Sequence, residues 1–397
     1  MIVMRVKLDN LCQFNDFDVN FSYPKKIVDS TIEGEYLKDR PNFRYKKLIV
    51  IMGQNASGKT TFGKILMALF NAMKTRDFGR LGDMISDRAK EANALVELVL
   101  HTNTLYRFEV KIKMAPQESL LDVEDSEEEE DFIPDPYIVS YCLKKCPINK
   151  SDNYEKCVDK LDNLATNFTE DLSSLRKEQL RMGWFFAFTK DEKPMSTVRF
   201  EKAGGKDLYL TALSTVLTTL DSSVEKVEWS SVKAEQDEDV ILISFKNMSR
   251  KVWLLEHGII GGDILSSGTA QAIEVAAMMA SALDRIYRFY YCDEKFSYLQ
   301  TEFETAVLSF LIECLDDRDQ LFFTTHNYEV LDMALPKHSY LFFKKYINED
   351  IPNIKAIFAD SVLKKNTESL RHAYENDLFS VLPSTDAIFD LLERGNK

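Results

Sequence analysis

No apolar run in this chain approaches the roughly 18 residues that would cross a bilayer, so a transmembrane helix is excluded. Met1 to Lys7 show no basic segment followed by an apolar one, so export is not expected. Cysteine is scarce, six in 397 residues. That excludes a disulfide scaffold and points to a reducing cytoplasm. There is no internal repeat and no long heptad array, hence no coiled-coil arm. Positive charge is short too: 50 Lys and Arg stand against 64 Asp and Glu, a net charge of −14. A dedicated nucleic-acid binder of high pI does not look like this, although a local basic cluster could still meet phosphate.

What is present is ordinary for a globular protein: 45% hydrophobic and 29% charged residues. Ile2, Met4, Val6 and Leu8 alternate, as do Phe17, Val19 and Phe21, which predicts a hairpin. Residues 23–47 read as a loop. The apolar run Leu48–Ile51 predicts a buried parallel strand, followed by a helix through Phe62, Ile65, Leu66, Leu69 and Phe70. A second hairpin is expected over 93–113. The acidic run Asp122 to Asp131, closed by Pro134 and Pro136, reads as a solvated loop. Charge-rich helical patterning over 150–182 and 206–222 predicts a helical subdomain, so that 112–235 forms an insertion in a single 1–397 domain. Strands return over 238–256. An alanine-rich helix follows over 266–283, then two apolar strands, 289–292 and 321–324, flanking a helix at 301–315.

The strongest chemical signal is Gly53-Gln54-Asn55-Ala56-Ser57-Gly58-Lys59-Thr60, with Thr61 next, between a predicted strand and a predicted helix. It fits G-x-x-x-x-G-K-[ST]. Glycines let consecutive N–H groups wrap phosphate oxygens at a helix N-terminus. Lys59 would reach the β- and γ-phosphates of ATP, and the Thr60 hydroxyl would hold Mg²⁺. Phe289-Tyr290-Tyr291-Cys292-Asp293-Glu294 is an apolar strand ending in two acids. In that arrangement Asp293 holds Mg²⁺ and Glu294 acts as general base on the attacking water. Phe322-Phe323-Thr324-Thr325-His326 is a further apolar strand ending in a histidine that could contact the γ-phosphate. Ser266, Ser267 and Gly268 open the alanine-rich helix and make another phosphate-competent N-terminus.

The order of these four motifs resembles the ABC-type ATPase heads of the SMC, RecF and overcoming-lysogenization group. More narrowly it is similar to the compact AAA-15/AAA-21 ATPases of prokaryotic anti-phage systems, of the abortive-infection (AbiL- and RloA-like) and PARIS-like kinds. Leu265 to Thr269 matches their S-S-G-T signature, Asn10 to Phe14 their opening strands, and Ser369 to Tyr374 with Phe379 and Pro383 their C-terminal segment. The resemblance does not extend over 112–235. It implies an α/β, ABC-type P-loop NTPase head with a central mixed sheet, N-terminal antiparallel hairpins and the inserted helical subdomain. It also implies ATP and Mg²⁺ as cofactors and a nucleotide-sandwich homodimer or higher homo-oligomer. In that dimer Lys59, Thr60, Asp293, Glu294 and His326 of one head face Ser266, Ser267 and Gly268 of another. Lys295 stands where many relatives have proline, and Ser297 to Gln300 lack the usual terminal aspartate, so slow turnover is expected.

The chain past His326 holds no D-x-D cluster of the Toprim kind. A nuclease or toxin effector is therefore expected to be a separate protein, with no membrane involved and nucleic acid a possible ligand. A RecF-like DNA-repair clamp and a nucleotide-bound scaffold with negligible turnover are the rival readings. Cys142, Cys146 and Cys157 lack a fourth zinc ligand and read as ordinary thiols. Trp184 to Phe188 read as core or a subunit interface.

Overall fold

The computed structural model describes residues 1–27, 30–100, 102–116, 136–171, 182–188, 205–231, 239–255, 258–294, 296, 300–348, 351–365 and 368–382. The acidic run, Lys295, Ser297 to Leu299 and Pro383 lie outside them. In chain order the strands are β1 (Ile2–Asp9), β2 (Phe17–Asn20), β3 (Tyr36–Leu37), β4 (Arg40–Arg44), β5 (Leu48–Gly53), β6 (Ala92–Val99), β7 (Thr104–Met114), β8 (Tyr137–Pro147) and β9 (Trp184–Ala187). They continue with β10 (Val224–Trp229), β11 (Ile241–Phe245), β12 (Lys251–Leu255), β13 (Gly258–Ile260), β14 (Phe289–Asp293), β15 (Gln320–Thr324), β16 (Tyr340–Asn348) and β17 (Ile351–Phe358). The principal helices are α1 (Lys59–Thr75), α2 (Tyr154–Asp162), α3 (Gly205–Leu220), α4 (Ser267–Leu283), α5 (Thr301–Cys314) and α6 (Leu370–Glu375).

The central sheet runs β17-β16-β5-β15-β14-β9. Its inner strands are parallel, and β17 returns antiparallel to β16. Every residue of β5, β14 and β15 is buried, as expected of parallel strands covered on both faces. Alternation then divides the side chains. Ile49, Ile51, Phe289, Tyr291 and Phe322 join α1 and the N-terminal sheet in one core. Leu48, Val50, Tyr290, Cys292, Leu321 and Phe323 join α3, α4 and α5 in the other. The N-terminal sheet, β2-β1-β6-β7-β8, is antiparallel, and both hairpins expected from the alternation are present. A third apolar cluster seats α2 through Tyr154, Cys157 and Leu161 beside Ile2, Met4, Val99 and Leu105.

One expectation needs correction. Residues 23–47 contain the short pair β3–β4. Among the described residues of 112–235, strands stand beside the expected helices α2 and α3. β8 extends the N-terminal sheet, β10 pairs with β11, and the aromatic run Trp184–Ala187 is an edge strand of the central sheet, parallel to β14. The cause is apolar: all four residues of β9 are buried, and that burial outweighs the polarity of the flanking sequence. Cys142, Cys146 and Cys157 are buried free thiols. Among the described residues no cluster of His, Cys, Asp and Glu could by itself hold a metal ion, and no helix is long and apolar enough to cross a membrane.

Candidate nucleotide site

The site forms where β5, β14 and β15 end. Parallel register sets Asp293 beside Thr324 and Thr324 beside Ile51, so three loops emerge together at one sheet edge. Gly53 ends β5 with φ at +155°, and a Cβ there would meet the Phe343 carbonyl oxygen at 2.5 Å. Gly58 has φ at +94°, and its Cβ would meet Ile354 Cδ1 at 2.4 Å. Gly53 therefore requires glycine for space as well as for conformation, and Gly58 for conformation, since the end of the Ile354 side chain can move aside. Gly58 is also the N-cap of α1 and supplies no capping side chain, so the first N–H groups of α1 point into the loop. Ser57 Oγ is buried at the same place without a hydrogen-bond partner. A cradle that a Cβ would fill, an uncapped helix start and an orphaned hydroxyl fit a bound phosphate chain.

Lys59 is buried, and its Nζ is the hub. It donates to the carbonyls of Gly53 at 3.0 Å and Gln54 at 3.2 Å, and it lies 3.2 Å from Glu294 Oε1. His326 Nε2 is 2.9 Å from the same Glu294 oxygen and 3.2 Å from Lys59 Nζ. Burial pulls the Lys59 ammonium below its usual range, with Glu294 opposing the shift. Burial also pushes the Glu294 carboxyl up, but hydrogen bonding from His326 and the Lys59 charge outweigh it, so it titrates below the ordinary range. The Glu294 carboxylate thus faces both the Lys59 ammonium and the His326 ring. Its backbone adopts φ of +47°, strained for glutamate, and its N–H is held by Thr324 Oγ1 at 3.0 Å.

Asp293 is fully buried. The Thr60 hydroxyl donates to its Oδ2 at 2.7 Å and the Thr324 hydroxyl to its Oδ1 at 2.8 Å, while burial pushes its pKa up. Thr60 and Asp293 thus present hard oxygen donors side by side, a set suited to Mg²⁺ that keeps most of its waters. A cavity of about 190 Å³ opens over the loop, lined by Cys12, Gln13 and Phe14, by Ala56 to Thr61, and by Glu294 and Ile354. Gln54 Nε2 donates to the carbonyl of Leu382, which ties the loop to the C-terminal segment. Asn55 is exposed.

Lys59, Thr60, Asp293, Glu294 and His326, from three separate stretches of sequence, are thus brought together. Ser266, Ser267 and Gly268 are not. Ser266 caps α4 by accepting from the Thr269 N–H at 3.0 Å, Ser266 and Ser267 are exposed, Gly268 is buried, and none of them lines the cavity. Sequence reasoning missed Thr324, which fixes both Asp293 and the Glu294 backbone. The signal available was its place as the last residue of an apolar strand adjacent to the acidic one. It also missed Tyr291, whose hydroxyl donates to the Lys59 carbonyl at 2.7 Å.

No family model matches the chain, and no curated protein matches it. Among solved structures the chain is similar to an Smc head bound to the C-winged helix domain of ScpA, at 11% identity and a TM-score of 0.49, covering 91% of this chain and 100% of that one. It is also similar to the SMC head domain from Thermotoga maritima, at 14% identity and a TM-score of 0.39, covering 90% and 99%. A third is the recombination mediator protein RecF of the RecFOR pathway, at 10% identity and a TM-score of 0.41, covering 89% and 98%. The described residues form an α/β fold whose central sheet is mixed, parallel within and antiparallel at β17.

Proposed function

We propose that this chain binds ATP with Mg²⁺ and hydrolyses it slowly, as the switch subunit of an anti-phage assembly whose nuclease or toxin effector is a separate protein. The observation that carries the ATPase reading is the convergence of Lys59, Thr60, Asp293, Glu294 and His326 on one glycine cradle. Lys59 and the N–H groups of α1 bind and orient the phosphates. Thr60 and Asp293 hold Mg²⁺, which neutralises charge on the phosphate oxygens when bound. Glu294 accepts the proton of the attacking water, and His326, hydrogen-bonded to Glu294, orients that carboxylate and faces the transferred group. The defence role rests on the resemblance of the motifs, and so does the homodimer in which Ser266 to Gly268 of a second copy complete the site.

The test is ATP-analogue binding and phosphate release by the wild-type chain and Lys59→Ala, alone, with DNA, and with proteins encoded beside it. Binding lost in the variant, and turnover altered by a neighbouring gene product, support the reading. Equal binding by both chains would remove the phosphate assignment. Stimulation by DNA alone would favour a repair clamp over a defence switch.

A further inference from the structure

Glu304 lies on α5, the helix that follows the Asp293-Glu294 strand, and is only 6% exposed. A carboxylate so deep in a helix needs partners. It finds them on the histidine loop. Asn327 Nδ2 donates to Glu304 Oε2 at 2.9 Å, and Thr325 stands close to the same carboxylate. The two loop residues are tied to each other as well, because the Asn327 N–H donates to Thr325 Oγ1 at 2.9 Å. The residues on both sides of His326 are therefore tied to each other, and through Asn327 to a single buried carboxylate. The remaining handles agree: the Thr325 N–H donates to the Ile51 carbonyl at 3.2 Å, and Asn327 Oδ1 accepts from the Glu329 N–H at 3.0 Å. Between these anchors only the His326 side chain points at Lys59 and Glu294.

We infer that Glu304 is a positioning residue for His326: it fixes the loop so that Nε2 meets Glu294, and it links that loop to the helix leading away from the acidic pair. The inference rests on the ATPase reading. A loop held at two points keeps the imidazole within hydrogen-bond reach of the base. A loop freed at those points leaves nucleotide binding intact, because the hydrogen bonds of Lys59 and Thr60 go to Gly53, Gln54 and Asp293 and not to Glu304. Small misplacements of this kind lower the chemical step far more than binding.

The experiment compares single-turnover hydrolysis and ATP-analogue affinity for Glu304→Ala, Glu304→Gln, Asn327→Ala, His326→Gln and the double variant Glu304→Ala/His326→Gln. Glu304→Ala should lower the rate by about tenfold or more while affinity changes by less than about twofold. Glu304→Gln, whose amide oxygen can still accept from Asn327, should recover most of the rate. Adding Glu304→Ala to His326→Gln should change the rate by less than about twofold, because the two act through one group. Should Glu304→Ala fail to fold, Asn327→Ala cuts the same bond from the other end and should show the same defect. An unchanged rate in the folded variant, a Gln variant as impaired as Ala, or a defect that multiplies with His326→Gln would overturn the inference. Failure of the ATPase reading looks different: wild type and Lys59→Ala would then bind the analogue equally.

Discussion

The Tyr291 hydroxyl donates to the backbone carbonyl of Lys59 at 2.7 Å, and its ring occupies the space that a side chain on Gly63 would need. One core residue of β14 thus sets the first turn of α1 relative to the strand that carries Asp293 and Glu294. Lys59 and Glu294 come from sequence positions far apart. Their 3.2 Å spacing depends on such packing, not on either loop alone. Buried close contacts of this sort transmit small shifts directly, because protein interiors are as dense as crystals.

Gly63→Ala should destabilise the fold. The new Cβ would lie 2.5 Å from Tyr291 Cε1 and 3.0 Å from Phe188 Cε1. Alanine gains about 0.5–1 kcal/mol of helix propensity over glycine, but overpacking costs about 1–3 kcal/mol, so the clash wins. Tyr291→Phe should cost about 1 kcal/mol through the lost hydrogen bond. Urea unfolding of each variant measures both. Equal or greater stability for Gly63→Ala would contradict the packing described.

Glu294→Gln should retain ATP affinity and lose about 10²–10⁴-fold in hydrolysis, since an amide keeps the shape but accepts no proton from water. The Lys59 ammonium then meets an uncharged amide oxygen and is freer to pair with phosphate, so affinity should hold or rise slightly. Analogue titration and phosphate release on the same preparation separate the two effects. Near-normal turnover would assign the base elsewhere.

Much of this site is legible in sequence because its parts are contiguous. Gly53 to Thr60 fixes a loop and a helix start by itself, and an apolar strand ending in Asp293-Glu294 advertises its charge. Thr324 and Tyr291 were not legible, since their roles come from parallel register and from a ring filling the space over Gly63. Neither leaves a pattern in the residues around it. β9 was missed for a related reason: Trp184 to Ala187 is a short apolar run, and only the strand beside it shows that it belongs to the central sheet. Glu304 reads in sequence as one more acid in a helix with three, and only its burial separates it from Glu302.

Lys46 should make stability rise with pH. Its Nζ lies 2.8 Å from the centroid of the Phe358 ring and 3.9 Å from Asp360 Oδ1, and burial pulls its pKa down to about 7, with Asp360 opposing. Below pH 7 the folded and unfolded chains both carry the proton, so the burial penalty is full and flat. Between about 7 and the unfolded value of 10.5 the unfolded chain binds more protons, so stability climbs by up to about 1.4 kcal/mol per pH unit from this group. Lys46→Met should therefore be more stable than wild type at neutral pH, with the difference shrinking toward pH 10. Denaturant unfolding of both chains across that range measures it. A constant difference would show that the ammonium is not desolvated.

The last prediction concerns Ser266 to Gly268. If the start of α4 meets the γ-phosphate held by a second copy, it acts in trans, and the separation of these residues from their own chain's phosphate loop is what such an arrangement requires. Gly268 is buried, so a bulky residue there would disturb α4 itself, whereas Ser267 is exposed and can be enlarged without loss of fold. An arginine at this position opposes the helix dipole by only about 0.3–1 kcal/mol. Ser267→Arg should therefore fold, bind ATP nearly as wild type, and lose both hydrolysis and ATP-dependent association. Mixing it with Glu294→Gln sharpens the test. In a mixed dimer one composite site carries both lesions and the other carries neither, so activity should return toward one working site per dimer. Light scattering with and without ATP follows association, and phosphate release follows activity. Ser267→Arg that hydrolyses ATP like the parent would remove α4 from the site. A mixture that stays inactive while mixed dimers form would mean that the two sites cannot act singly or that they are not shared in this way.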